Sequence, residues 1–93
     1  MRATRIIITG RVQGVGFRDW LIAEAHRLGI EGWVSNVGND RVEALLAGPP
    51  AAVAECLHAC LRGPKLASVT SITEHIADPP AEPGFVKRPS VPS

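Results

Sequence analysis

Two polar side chains stand where chemistry on an anion is feasible, Arg18 and Asn36. Arg18 closes the stretch GRVQGVGFR, residues 10–18, in which three glycines punctuate a turn between an apolar run (Ile6-Ile7-Ile8-Thr9) and a helix-forming segment. Such a turn points several backbone N–H groups at one spot, and the dipole and unpaired first-turn N–H groups of the helix add to the attraction for an anion. Arg18 supplies a permanent positive charge on a planar fork of donors, suited to phosphate oxygens. Asn36, at the close of a second candidate strand, offers both a donor and an acceptor, enough to position a water molecule. Two such groups suffice for a hydrolase whose substrate has a good leaving group, because phosphoryl transfer asks mainly for positioning and charge stabilisation. Spacing alone leaves plainer roles open: Arg18 as a solvated first-turn residue and Asn36 as a turn former.

Other chemistries find less support. No Walker A pattern is present, and Gly14-Val15-Gly16-Phe17-Arg18-Asp19 lacks the third glycine of a dinucleotide loop. His26, His58 and His75 form no metal-ligand spacing, and the first two fall on the polar faces of expected helices, as solvated histidines do. Cys56 and Cys60, four apart in an expected helix, share one face and suit buried reduced thiols better than a bridge. With Ser35 lacking a helpful neighbour, neither covalent nor metal catalysis is favoured.

The elements that must hold these residues follow from periodicity. A first strand is expected over residues 3–12, its consecutive isoleucines requiring a central place covered on both faces. Phe17, Leu21, Ala25 and Leu28 form the apolar stripe of a first helix that Gly29 ends. Residues 30–35 read as a second strand and residues 36–40 as turn chemistry. Alternating Val42, Ala44 and Leu46 make a third strand in a hairpin with the second. A second helix over residues 50–62 turns Val53, Cys56, Leu57 and Cys60 inward, and Gly63-Pro64 stops it. A fourth strand over residues 67–76 points Val69, Ile72 and Ile76 inward, in a pattern irregular enough to imply a bulge. Residues 84–88 suit a short edge strand, and residues 89–93 a frayed tail. The order β-α-β-β-α-β implies a split βαβ pair, an α+β domain with both helices on one face of the sheet.

The chain of 93 residues makes one domain with a modest core, and its net charge of +1 carries no broad footprint for nucleic acid or membrane. No apolar run reaches membrane-spanning length, and with the unbridged cysteines this sets the expectation of a cytoplasmic protein.

GRVQGVGFR, followed by Ala25, Leu28-Gly29-Ile30 and Gly32-Trp33-Val34-Ser35-Asn36, closely resembles the acylphosphatase family. The likeness continues more loosely through Val42-Glu43, Gly48 and Gly63-Pro64, covering most of residues 3–88. The resemblance implies a ferredoxin-like α/β sandwich on a mixed, mainly antiparallel sheet of four to five strands. It also implies an enzyme that hydrolyses acyl phosphates to carboxylate and phosphate. By the same resemblance, backbone N–H groups of Gln13, Gly14, Val15, Gly16, Phe17 and Arg18 cradle the phosphoryl group. Arg18 binds that group and Asn36 orients the attacking water. No metal or organic cofactor is implied; inorganic phosphate should inhibit as well as be released, and a monomer is expected. Asn39-Asp40 stands where the family commonly has a turn ending in glycine, so a positive φ would fall on Asp40, at a cost that glycine avoids. Two rivals belong to other classes. One is a non-catalytic anion-binding or regulatory module of the same fold, such as occurs fused within larger proteins; with 93 residues no partner domain is expected here. The other is an RNA-binding domain, which would want aromatic residues on the open sheet face and a basic surface.

Overall fold

The computed structural model describes residues 3–92. Its elements are β1 (Ala3–Arg11), α1 (Phe17–Leu28), β2 (Glu31–Val37), β3 (Arg41–Ala47), α2 (Pro50–Arg62), β4 (Ser68–Ala77) and β5 (Phe85–Lys87). The strands form one sheet in the order β4-β1-β3-β2-β5, antiparallel throughout except for the parallel β2–β5 pair at one edge. Consequently β1, β2 and β5 run in the same direction, and their carboxyl ends meet at one end of the sheet.

Period-two alternation selects the face that the helices cover. Rows across the ladder join Ile6 with Ala44 and Val34, and Ile8 with Val42 and Asn36. Ile6, Ile8, Val34, Val42 and Ala44 are fully buried beneath Phe17, Leu21 and Ala25 of α1 and Cys56 and Cys60 of α2. Both thiols are free, and a hydrogen bond with Cys56, together with burial, raises the Cys60 thiol far above its ordinary value. On the opposite face Ala3, Leu45 and Ala47 form a smaller cluster with Trp33 and Ala77. Glycines in left-handed conformation flank α1, Gly16 at the start and Gly29 at the stop.

The expected α+β sandwich, its order and the central position of β1 are all present, and so is a bulge on β4: the register shifts between Thr9 and Gly10, so that Thr9 faces Ser71 and Gly10 faces Val69. Several local expectations need correction. β2 runs on through Asn36 and Val37, because the ladder to β3 continues to the pair Val37–Arg41. The turn therefore shrinks to residues 38–40, and Gly38 takes its positive φ of 61°. Asp40 has no positive φ, so the expected cost does not arise. Ile76, expected inward, pairs with Thr4 and shares the face of Ile72, yet it is 78% exposed because the helical layer does not reach that end of β4. His26 is exposed as expected, and its Nε2 also lies 3.3 Å from the Phe85 carbonyl, linking α1 to β5. The tail expected to fray is tied down at Val91, which bridges to Val37; its N–H donates to the Asn36 carbonyl at 2.8 Å, and its own carbonyl accepts from Gly38 N–H at 2.9 Å. Ser93 lies outside the described residues.

Candidate active site

At the shared carboxyl ends of β1, β2 and β5 lies a cleft of about 130 Å³, lined by Val12, Gln13, Gly14, Gly16, Phe17, Arg18, Asp19, Asn36 and Lys87. Four pieces of chain meet there: the loop after β1, the first turn of α1, the end of β2 and the last residue of β5.

The loop owes its shape to backbone conformation. Gly14 and Gly16 have φ of 72° and 77°, a region that L side chains adopt only at a cost, and a Cβ at either would meet no atom within 4 Å. Glycine is thus required here by conformation and not by crowding. The first helical bond of α1 runs from Trp20 N–H to the Gly16 carbonyl at 3.0 Å. The N–H groups of Phe17, Arg18 and Asp19 come before it, without an intrahelical acceptor, at the positive end of the helix dipole. Phe17 anchors the arrangement, buried to 1% exposure with its ring edge-on to Trp20 at 5.3 Å between centroids.

Gln13 does something that its place in the motif did not disclose. Its side chain turns away from the loop, and Nε2 donates to the carbonyls of Arg41, Gly38 and Val37 at 2.9, 3.1 and 3.3 Å. This amide staples the loop to the β2–β3 turn, immediately beyond Asn36. Val15 does not line the cleft, and its side chain packs against the main core. Of the residues expected at the site, Gln13, Gly14, Gly16, Phe17, Arg18 and Asn36 therefore meet at one cleft, while Val15 contributes packing.

Arg18 and Asn36 reach the cleft from different elements, one from the first turn of α1 and one from the helix-facing side of β2. Neither side chain has an ion-pair or hydrogen-bond partner among the described residues, so both keep their full capacity for a ligand. Also among the described residues, no group of three or more His, Cys, Asp or Glu side chains gathers in a way that would hold a metal ion.

Two lining residues escaped sequence reasoning, Asp19 and Lys87. They form an ion pair, with Lys87 Nζ 2.7 Å from Asp19 Oδ1. The hydrogen bond and charge of Lys87 hold the Asp19 carboxyl below its ordinary value, and Arg18 adds a smaller effect of the same sign. The acidic first-turn residue was visible in the sequence. Its partner lies 68 residues away (87 − 19) on a three-residue strand that has no pattern of its own.

A family model described as acylphosphatase matches residues 4–87. An acylphosphatase of Acidiphilium cryptum is 59% identical over 88 residues, spanning 95% of this chain and 97% of the relative. The crystal structure of acylphosphatase from Bacillus subtilis superposes with a TM-score of 0.87 at 36% identity, covering 95% of this chain and 99% of that one. An acylphosphatase structure from Coxiella burnetii gives a TM-score of 0.88 at 26% identity, over 92% of this chain and 90% of that one. Matched by the family model over residues 4–87 and by a 59% identical relative over most of both chains, this chain belongs to the acylphosphatase family.

Proposed function

We propose that this acylphosphatase works by seating the phosphoryl group of an acyl phosphate in the glycine loop and attacking it with a water held by Asn36. Backbone N–H groups of the loop and the first turn of α1 receive the phosphoryl oxygens, and Arg18 adds a charged fork that strengthens as charge develops on them. The Asn36 side-chain oxygen accepts a hydrogen bond from water and turns its lone pair toward phosphorus. The new bond joins the water oxygen to phosphorus, and the bond between phosphorus and the acyl oxygen breaks with its electron pair leaving on the carboxylate. The proton of the attacking water passes to a phosphoryl oxygen, because neither guanidinium nor amide is a base near neutral pH. A carboxylate is a stable leaving group and needs no acid of its own, which makes a site without histidine or nucleophile chemically sufficient.

The observation that carries this reading is the convergence of unpartnered Arg18 and Asn36 on one cleft beside open loop N–H groups. An RNA-binding role is disfavoured by the open sheet face, where the one aromatic is Trp33, with the Arg88 guanidinium 4.6 Å from its ring centroid. The same reading takes the protein to be a cytoplasmic monomer; no described helix is long and apolar enough to cross a membrane. Hydrolysis of benzoyl phosphate, with and without chelator, tests the reaction. Turnover that survives chelation and is competitively inhibited by inorganic phosphate is expected. A wild type that binds phosphate without turnover would point instead to an anion-binding module.

A further inference from the structure

We propose that Lys87 is a second cation for the bound phosphoryl group, held beside the cleft by Asp19, an assignment that rests on the acyl phosphate reading above. Lys87 pairs with Val34 across the parallel β2–β5 edge, in the transverse row that also contains Ala44 and Ile6. This puts its side chain on the helix-covered face, one row from Asn36 and at the same end of the sheet. From there it lines the cleft together with Arg18, Asn36, Gly14 and Gly16.

The charges on the cleft make the case. Its charged lining residues are Arg18, Asp19 and Lys87. Arg18 and Asp19 alone would cancel, and the carboxylate would repel an incoming phosphoryl group; Lys87 neutralises Asp19 and returns the cleft to a net positive charge. The tether is also exchangeable. Asp19 and Lys87 side chains are 74% and 43% exposed, and an ion pair so open to water holds its partners weakly. An ammonium with three donors on a flexible stem can pass from a singly charged carboxylate to a more highly charged phosphoryl group at little cost. Nor is the pair the only fastening of β5 to α1, because His26 already meets the Phe85 carbonyl.

The test compares Lys87→Gln, Lys87→Arg and Asp19→Asn by KM and kcat for benzoyl phosphate and Ki for inorganic phosphate. If Lys87 serves the anion, the two halves of the pair move affinity in opposite directions. Lys87→Gln should raise Ki and KM about three- to tenfold, with a smaller change in kcat, and Asp19→Asn, which frees the ammonium, should lower Ki about two- to fivefold. Lys87→Arg should stay within about twofold of wild type, and the deficit of Lys87→Gln should narrow as salt shrinks the Debye length from about 30 Å at 0.01 M to about 8 Å at 0.15 M. A merely structural pair would make Lys87→Gln and Asp19→Asn weaken binding alike; that result, or an unmoved Ki in Lys87→Gln, overturns the proposal. Should Lys87→Gln fail to fold, Lys87→Met takes its place, a raised Ki supporting the assignment and an unmoved Ki refuting it. Wild type without turnover would bring down the underlying reading and this assignment with it, whereas turnover with an unchanged Lys87→Gln Ki refutes the assignment alone.

Discussion

Gln13→Met removes the amide donors that fasten the glycine loop to the β2–β3 turn while keeping an unbranched side chain of similar length. Gln13 Nε2 has two N–H bonds to divide among the carbonyls of Arg41, Gly38 and Val37, at 2.9, 3.1 and 3.3 Å. Two good bonds and a shared third contact, at about 1 kcal/mol net each, amount to about 2 kcal/mol. The site is half-buried, so water can reach some of the abandoned carbonyls, and about 1–2 kcal/mol is the expected loss. For a domain of this size that corresponds to a fall in Tm of about 5–10 °C. Activity should suffer more than stability, because the amide couples the loop proposed to receive the phosphoryl group to the strand that carries Asn36. A displacement of a few tenths of an ångström between the two should lower kcat/KM about tenfold. The assay is benzoyl phosphate hydrolysis on wild type, Gln13→Met, Asn36→Ala and the double variant. Once Asn36 is gone, the Gln13→Met penalty on kcat should largely vanish, since there is no longer a positioned water to misalign. A variant with wild-type Tm and kcat/KM would refute the staple, and a penalty that stays additive in the double variant would refute the coupling.

Gly16→Ala should lose about 1–2 kcal/mol of stability in urea melts, because alanine resists a φ of 77° although nothing crowds its Cβ; loss of phosphate affinity should accompany it as the loop relaxes. The Asp19 carboxyl, held below its ordinary value of 3.8 by the Lys87 hydrogen bond, should keep its charge as pH falls through the normal carboxylate range. The stabilisation from this pair is therefore present above that range and disappears only as pH drops through the lowered folded value. Carbon-detected NMR titration should show the Asp19 midpoint rising in Lys87→Gln, and an unchanged midpoint would mean that the pair does not persist in solution.

Much of the fold was legible because it is locally encoded. Ile6, Ile7 and Ile8 announce a covered central strand, Phe17, Leu21 and Ala25 announce the helix face, and the glycines of residues 10–16 announce a tight turn of bare backbone ahead of the helix. Arg18 was findable as a cation at a helix N-terminus, and Asn36 by its place near the end of a strand codirectional with β1. What local patterns did not reveal depends on contacts distant in sequence. Lys87 enters the cleft through a three-residue parallel edge strand, too short to show alternation. The Gln13 side chain turns back to a hairpin 24 to 28 residues away, which its motif position does not indicate. The turn after β2 escaped because a ladder that continues through Val37–Arg41 moves the positive φ from Asp40 to Gly38. Ile76 obeys the expected alternation yet stays in solvent, since parity assigns a face without saying how far the helices extend over it.

The proposed mechanism divides labour: the loop and Arg18 hold the phosphoryl group, and Asn36 holds the water. It is tested most directly by measuring kcat for benzoyl phosphate and Ki for inorganic phosphate in Asn36→Ala. The expected outcome is a kcat lowered by at least about a hundredfold with Ki within about twofold of wild type. A variant that turns over at the wild-type rate, or one that loses phosphate binding in step with catalysis, would contradict the account.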